Sequence, residues 1–328
     1  MNEIPLPDPA VHVAGAREIA PDLLVIPDRG VPLVPNIGLI GGTSAVLVVD
    51  TGLGTANAEQ VLALASEVAG GRRLYLTSTH FHPEHAFGAH VFAGRATYVV
   101  NRAQADDLRA KGAGYLEMFR GLGRTVADRL DAGVRVPTPD VVHDGGYELD
   151  LGGRTVRLRP TGRGHTQGDQ VIEVPDAGVL FTGDLAEAGQ FAIFPWFPPH
   201  DTDVSGVGWL AVLDRLVADG HRLVVPGHGE AGGPRLLADV RDYLRELRDE
   251  TWRRRDRGTA DSEIVAEVRA LLTERHPEWT GQEWIEKGVG CLCAEYAERS
   301  EDAEYAAHTE HAAHTEHAGH SGHSGHSG

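Results

Sequence analysis

The stretch "THFHPEHAFGAH", residues 79–90, places His80, His82, Glu84 and His85 within six positions. Imidazoles and a carboxylate so close together form a donor set for zinc, or for iron in a mixed nitrogen and oxygen site. The run "LYLTST" ahead of it reads as a strand. On an extended chain, residues two apart point the same way, so His80 and His82 face a common side. Pro83 then breaks the strand, and Glu84 and His85 turn back at the start of a helix. A strand end followed by such a turn can aim two sets of groups at two neighbouring points. His90, further along, reads as structural.

Three more positions share this setting. His165 lies in the glycine-rich "TGRGHTQGD" after the strand "TVRLRP", Asp184 ends "LFTGD", and His228 sits in "LVVPGHGE". Each is a polar residue where an apolar strand runs out, the usual place for function in layered α/β folds. A lone histidine there is more often structural than a ligand. Five histidines and two acids, all at strand ends, shift that balance toward a metal centre.

In order and spacing the set resembles the metallo-β-lactamase superfamily, whose pattern is His-x-His-x-Asp-His, then His, Asp and His. The resemblance covers residues 20–235, and "VVDTG" at 48–52 resembles the family's early motif. It implies an α/β fold, a four-layer αββα sandwich with the site at one edge of its two sheets. It also implies that His80, His82 and His165 hold one metal, that Glu84, His85 and His228 hold a second, and that Asp184 bridges them. Asp50 would then support the metal loop from behind. Glu84 departs from the pattern, which has aspartate there; the extra methylene moves the carboxylate by about 1.5 Å. Glu84 is therefore open to two roles, second-site ligand or proton-accepting base.

The implied activity is that of a hydrolase with two Zn²⁺ per chain, Fe²⁺ or Mn²⁺ being the alternatives. A metal-bound hydroxide would cleave an ester, thioester, lactone or lactam of a small molecule, with Asp184 and Glu84 as the catalytic carboxylates. Two rival readings stand beside it. One is a mononuclear iron enzyme resembling the family's persulfide dioxygenases, with iron on His80, His165 and Asp184. The other is a metal-storage or delivery protein working through its histidine-rich end.

The rest of the chain frames these sites. Eight β-branched runs, near residues 23, 45, 74, 97, 155, 170, 178 and 222, read as strands. Residues 56–70 and 207–220 carry helical stripes. Residues 102–140 read as a helical insertion in a domain spanning 1–235, and 236–300 as a helical extension that packs on the core or forms a lid. Within that extension "RLLADVRDYLRELRDETWRRR" and "SEIVAEVRALLTERH" read as helices, the latter expected to be N-capped by Asp261. Tyr115, Met118 and Phe119 of the insertion, with Phe194, Trp196 and Phe197 of "FAIFPWFPPH", are candidates to line an apolar substrate pocket; packing of the second loop onto the core is the equal alternative.

Composition narrows the partners. A net charge of −18 over 328 residues argues against general nucleic-acid binding and against an anionic membrane surface. No leader and no membrane-spanning run is read, so a cytoplasmic protein is expected. Cys291 and Cys293, one residue apart, are too close for a disulfide framework and read as small buried hydrophobes. From 301 onward histidine recurs every third residue, from His308 to His326, with almost nothing apolar to bury. That predicts a disordered tail whose histidines can bind extra metal ions along one face of a polyproline II helix. The oligomeric state is left open.

Overall fold

The eight β-branched runs all form strands, some, such as Ala45–Val49 and Val179–Glu187, buried on both faces and others, such as Thr155–Pro160, alternating buried and exposed residues. The computed structural model describes the backbone of residues 6–319 and the side chains of residues 6–301. In β4 (Ala45–Val49), Val46 and Val48 point into one apolar cluster and Ala45, Leu47 and Val49 into another. A strand covered on both sides reads as a continuous apolar run rather than an alternating one.

Two sheets result. The first has seven strands in chain order: β1 (Arg17–Ala20), β2 (Leu23–Ile26), β3 (Ile37–Gly41), β4, β5 (Arg73–Thr77), β6 (Thr97–Asn101) and β7 (Val141–His143). The second has five, ordered β12-β11-β10-β9-β8, from β8 (Tyr147–Asp150), β9 (Thr155–Pro160), β10 (Gln170–Val174), β11 (Val179–Glu187) and β12 (Leu223–His228). Their facing sides share a core in which Leu23, Leu47 and Val49 meet Leu158, Ile172 and Phe181. Gly38 of β3 makes this close approach possible, since a Cβ there would lie 2.6 Å from the Phe181 ring.

Helices close the outer faces. α1 (Gly54–Ala69) packs Ala58, Val61 and Ala65 on the first sheet. α5 (Gly206–Asp219), α6 (Arg235–Arg255), α7 (Asp261–Arg275) and the start of α8 (Glu283–Gly319) pack on the second. The layers are therefore helix, sheet, sheet, helix, the αββα sandwich expected. Leu244, Ile264, Val289 and Leu292 lie in one core with Phe191 and Trp209, so the C-terminal helices form the outer layer itself, not a separate lid.

The insertion is helical, as α3 (Arg102–Arg120), which Asn101 caps by accepting from the Gln104 N–H, and α4 (Arg124–Arg129). Asp261 does not cap α7. The helix begins with Asp261 itself after Ala260, and the carboxylate instead pairs with Arg255 in the first turn. α8 also runs into the stretch expected to be without structure, as far as Gly319. Alanine and glutamate there favour a helix, and extending an existing helix avoids the cost of nucleating one. The end of the tail, residues 320–328 with His320, His323 and His326, lies outside the described residues. No helix among the described residues is long and apolar enough to cross a membrane.

Both cysteines lie buried in α8, where burial pushes the Cys291 thiol up to about 12 and the Cys293 thiol up to about 11. At pH 8 the thiolate of Cys293 is then about one part in a thousand of the total. Native protein should leave both thiols unlabelled by a thiol-reactive dye, and unfolding in guanidinium should release two. Prompt labelling of native protein would refute this burial.

Candidate metal centre

The parallel strands β4, β5, β11 and β12 all end at one edge of the sandwich, and the polar residues gather there. His80 and His82 follow β5, and Pro83 opens the single helical turn α2 (Pro83–Ala86) carrying Glu84 and His85. His165 comes from the loop between β9 and β10, Asp184 from within β11, and His228 is the last residue of β12. All seven are buried. Four come from the first half of the chain and three from the second, so the two sheets meet at this cluster.

The side chains form two groups whose candidate ligand atoms lie within 4.8 Å of one another in each: His80, His82, His165 and Asp184, then Glu84, His85 and His228. In the first, His82 Nδ1 stands 3.0 Å from His80 Nε2 and 3.1 Å from His165 Nε2. Asp184 presents one oxygen to each group. Its Oδ2 is 3.8 Å from His80 Nε2 and 3.7 Å from His165 Nε2. Its Oδ1 is 3.2 Å from His85 Nε2 and 3.7 Å from His228 Nε2.

The outer nitrogens fix which atom of each ring faces inward. Nδ1–H of His165 donates to the Ile193 carbonyl at 2.9 Å, and that of His228 to the Val34 carbonyl at 3.0 Å. A carbonyl only accepts, so these rings carry their proton outside and turn a lone pair inward. His85 Nδ1 meets Asp50 Oδ2 at 2.9 Å, while the Thr79 hydroxyl bridges Asp50 Oδ2 (3.0 Å) and His80 Nδ1 (3.1 Å). Asp50 thus holds one ring of each group from behind, and its Oδ1 accepts the Thr79 N–H at 2.7 Å.

This set fits cations and little else. Glu84 Oε2 and His228 Nε2 are buried without a hydrogen-bond partner, and His85 Nε2 and Asp184 Oδ1 face each other at 3.2 Å. An atom left unpartnered costs about 1–3 kcal/mol if nothing satisfies it, and all four converge on one region. Burial keeps the His80 and His82 rings neutral and pushes His165 down to about 4. Burial also pushes the Asp184 carboxyl up, but the facing His85, His228 and His80 rings outweigh it and hold it well below the usual carboxylate range. His85 differs. Burial lowers it, yet the Asp184 and Asp50 carboxylates raise it well above its ordinary value, so a cation entering that group must displace a proton.

Gly227 keeps the cluster open, because a Cβ there would lie 1.9 Å from Asp184 Oδ1. Gly227→Ala should weaken cation binding at least about tenfold by turning that carboxylate away. Metal analysis after dialysis checks this, and a metal content equal to the parent would refute it.

His90 stands outside both groups, bonded to the Phe87 carbonyl and Thr55. Of the aromatic residues expected near a pocket, Tyr115 lies on His82 with ring centroids 5.0 Å apart. Phe119 is buried beside it in the cluster formed by the insertion. Phe194 does not line a pocket. It is fully buried and packs on Trp209 in the core, because the loop after β11 folds down onto α5. Trp196 is half-buried against the same core, and Phe197 lies half-buried under Lys287.

Among the buried acids not singled out from the sequence, two stand behind His165. Asp169 accepts from the Thr166 N–H and hydroxyl, clasping the loop that carries His165, and burial pushes it up to about 8. Glu187 Oε2 accepts from the Ile193 N–H, and the carbonyl of that same residue orients His165. Neither belongs to a recognisable spacing. A third grouping, Glu173, Asp219 and His221, has its carboxylates already paired with Arg159.

The profile of the metallo-beta-lactamase superfamily matches residues 30–228. Acyl-coenzyme A thioesterase MBLAC2 of Homo sapiens is 29% identical over 229 residues, covering 64% of this chain and 78% of its own length. Among solved structures, a metallo-beta-lactamase from Pontibacter korlensis aligns with a TM-score of 0.56 at 19% identity, over 70% of this chain and 98% of its own. The stereoselective inverting sec-alkylsulfatase of Pseudomonas sp. aligns with a TM-score of 0.67 at 19% identity, over 88% of this chain and 53% of its own. With the profile covering more than half its length, and the layered fold and clustered histidines on its edge, the chain belongs to the metallo-β-lactamase superfamily.

Proposed function

We propose that the chain is a dinuclear metal-dependent hydrolase of a small acyl compound, with an acyl thioester as the first substrate to test. The observation that carries this reading is Asp184, whose two carboxylate oxygens each face a separate cluster of imidazoles. Likeness to an acyl-coenzyme A thioesterase supports the choice of a thioester over a lactam. In this reading His80, His82 and His165 hold one ion, Glu84, His85 and His228 the other, and Asp184 spans both. Zinc suits these nitrogen and oxygen donors.

When bound, the two ions supply Lewis acidity, lowering the pKa of a water toward neutrality and polarising an acyl carbonyl. The chain's own groups prepare the site for this. The outward hydrogen bonds of His165 and His228 keep their Nε2 lone pairs inward. Asp184 holds negative charge between the groups. Burial raises the Glu84 carboxyl, so in the alternative in which Glu84 holds no ion its Oε2 could take a proton released near the site.

Protein ending before His308 should retain close to two zinc ions per chain and hydrolyse acyl thioesters at nearly the full-length rate when metal is plentiful. With metal scarce, the truncated protein should activate more slowly than the full chain, because the tail histidines gather ions. One iron per chain with oxygen consumption would favour the dioxygenase reading. Many ions bound without turnover would favour storage.

A further inference from the structure

We propose that Tyr115, through the face of its ring, is the positioning residue that aims His82 Nδ1 into the three-histidine group. The inference rests on the reading that His80, His82 and His165 hold a cation. An imidazole ring turns about its Cβ–Cγ bond unless something fixes it, and a ligating histidine is usually fixed by a hydrogen bond from its outer nitrogen. Four of the five rings have one, to Thr79, Asp50, the Ile193 carbonyl or the Val34 carbonyl. His82 does not: its Nε2 is buried with no hydrogen-bond partner.

Tyr115 covers the face of that ring instead. The two rings are inclined by 22° with centroids 5.0 Å apart, and Phe81 lies 4.8 Å from the His82 ring at 58°. Turning His82 away from the cluster would drive its edge into the Tyr115 ring. Tyr115 is itself tethered, since its hydroxyl donates to Asp201 Oδ2 at 2.7 Å. Lys111 Nζ in turn stands 3.1 Å from each Asp201 oxygen, so the tether is a paired, buried carboxylate. The helical insertion then buttresses a ligand rather than merely covering the site, and the loop after β11 holds that buttress in place.

The test is zinc titration of metal-free full-length protein, followed by calorimetry, in a His228→Ala background so that the three-histidine group is read apart from the other. The tail contributes equally to every variant. Tyr115→Leu should bind at least about tenfold more weakly than its parent, and Tyr115→Phe, which keeps the ring, should stay within about threefold. A purely structural role would lower the thermal stability of the metal-free protein without moving the affinity. Binding by Tyr115→Leu within about twofold of the parent overturns the proposal, as does an equal loss in Tyr115→Phe and Tyr115→Leu. Should Tyr115→Leu fail to fold, Tyr115→Met, which also removes the flat ring, takes its place. It should weaken binding at least about tenfold, and unchanged affinity overturns the proposal. His165→Ala is the control for the underlying reading. It should lose the ion, and retention of parental affinity there would bring down both the ligand assignment and the role of Tyr115.

Discussion

Asp184→Ala should lower the proposed acyl-thioester hydrolysis by at least about a hundredfold and release at least one of the two proposed ions. Residues that merely support a metal ligand cost 10–100-fold when removed, and Asp184 faces both groups directly. Its carboxylate is the one acid common to both clusters, with an oxygen 3.2 Å from His85 Nε2 and another 3.7 Å from His165 Nε2. Without it, two cations would face each other across buried imidazoles with no charge between them. The rate and the metal content of dialysed protein are the measurements. Wild-type turnover in this variant would remove Asp184 from the chemistry.

The second large effect is expected at Glu84. Glu84→Gln keeps size and shape and removes the charge. Its parent is buried in the single turn after Pro83, with Oε2 unpartnered beside His85 and His228. A ligand role and a proton-accepting role both need a carboxylate, so hydrolysis should fall severely in either case. They part on metal. If Glu84 is a ligand, the variant loses second-site affinity and excess zinc restores part of the rate. If it is only a base, both ions stay and the rate remains low at any zinc concentration. The ligand role is expected, because His85 and His228 alone leave that group short of protein donors. Full activity at limiting zinc would reduce Glu84 to a charge at a helix start.

What the sequence made visible follows the physics of burial. β4, β5 and β11 are covered on both faces and stand out as apolar runs. β1, β7 and β8 do not, because each lies at the edge of its sheet and is short or carries charge, as in "REIA" and "YELD". β3 is central yet hidden, since Gly38 and Gly41 lower its strand signal while Gly38 admits the Phe181 ring. The seven clustered residues were visible through their order and spacing along the chain, although Asp184 lies within β11 and not at its end. The role of Tyr115 was not, because a helical stripe says which residues share a face and not which ring from another element lies beneath it. Phe194 stood between two readings for the opposite reason: aromatics in a proline-rich loop suit an open pocket as well as packing on the core, and here the loop folds onto Trp209.

The gathering of donors from both halves of the sandwich has a consequence for the protein's endurance. His80, His82, Glu84 and His85 belong to the side of the first sheet, and His165, Asp184 and His228 to the second. Ions held at their edge would rivet the two sheets together, and an ion that binds only the folded chain stabilises it by about 4 kcal/mol when its free concentration is a thousand times its dissociation constant. The same proposed ions would then also set how long the molecule survives. A chain made under zinc starvation would be both idle and unfastened, open to proteolysis before it could ever be switched on, so that metal supply would govern its abundance as well as its rate.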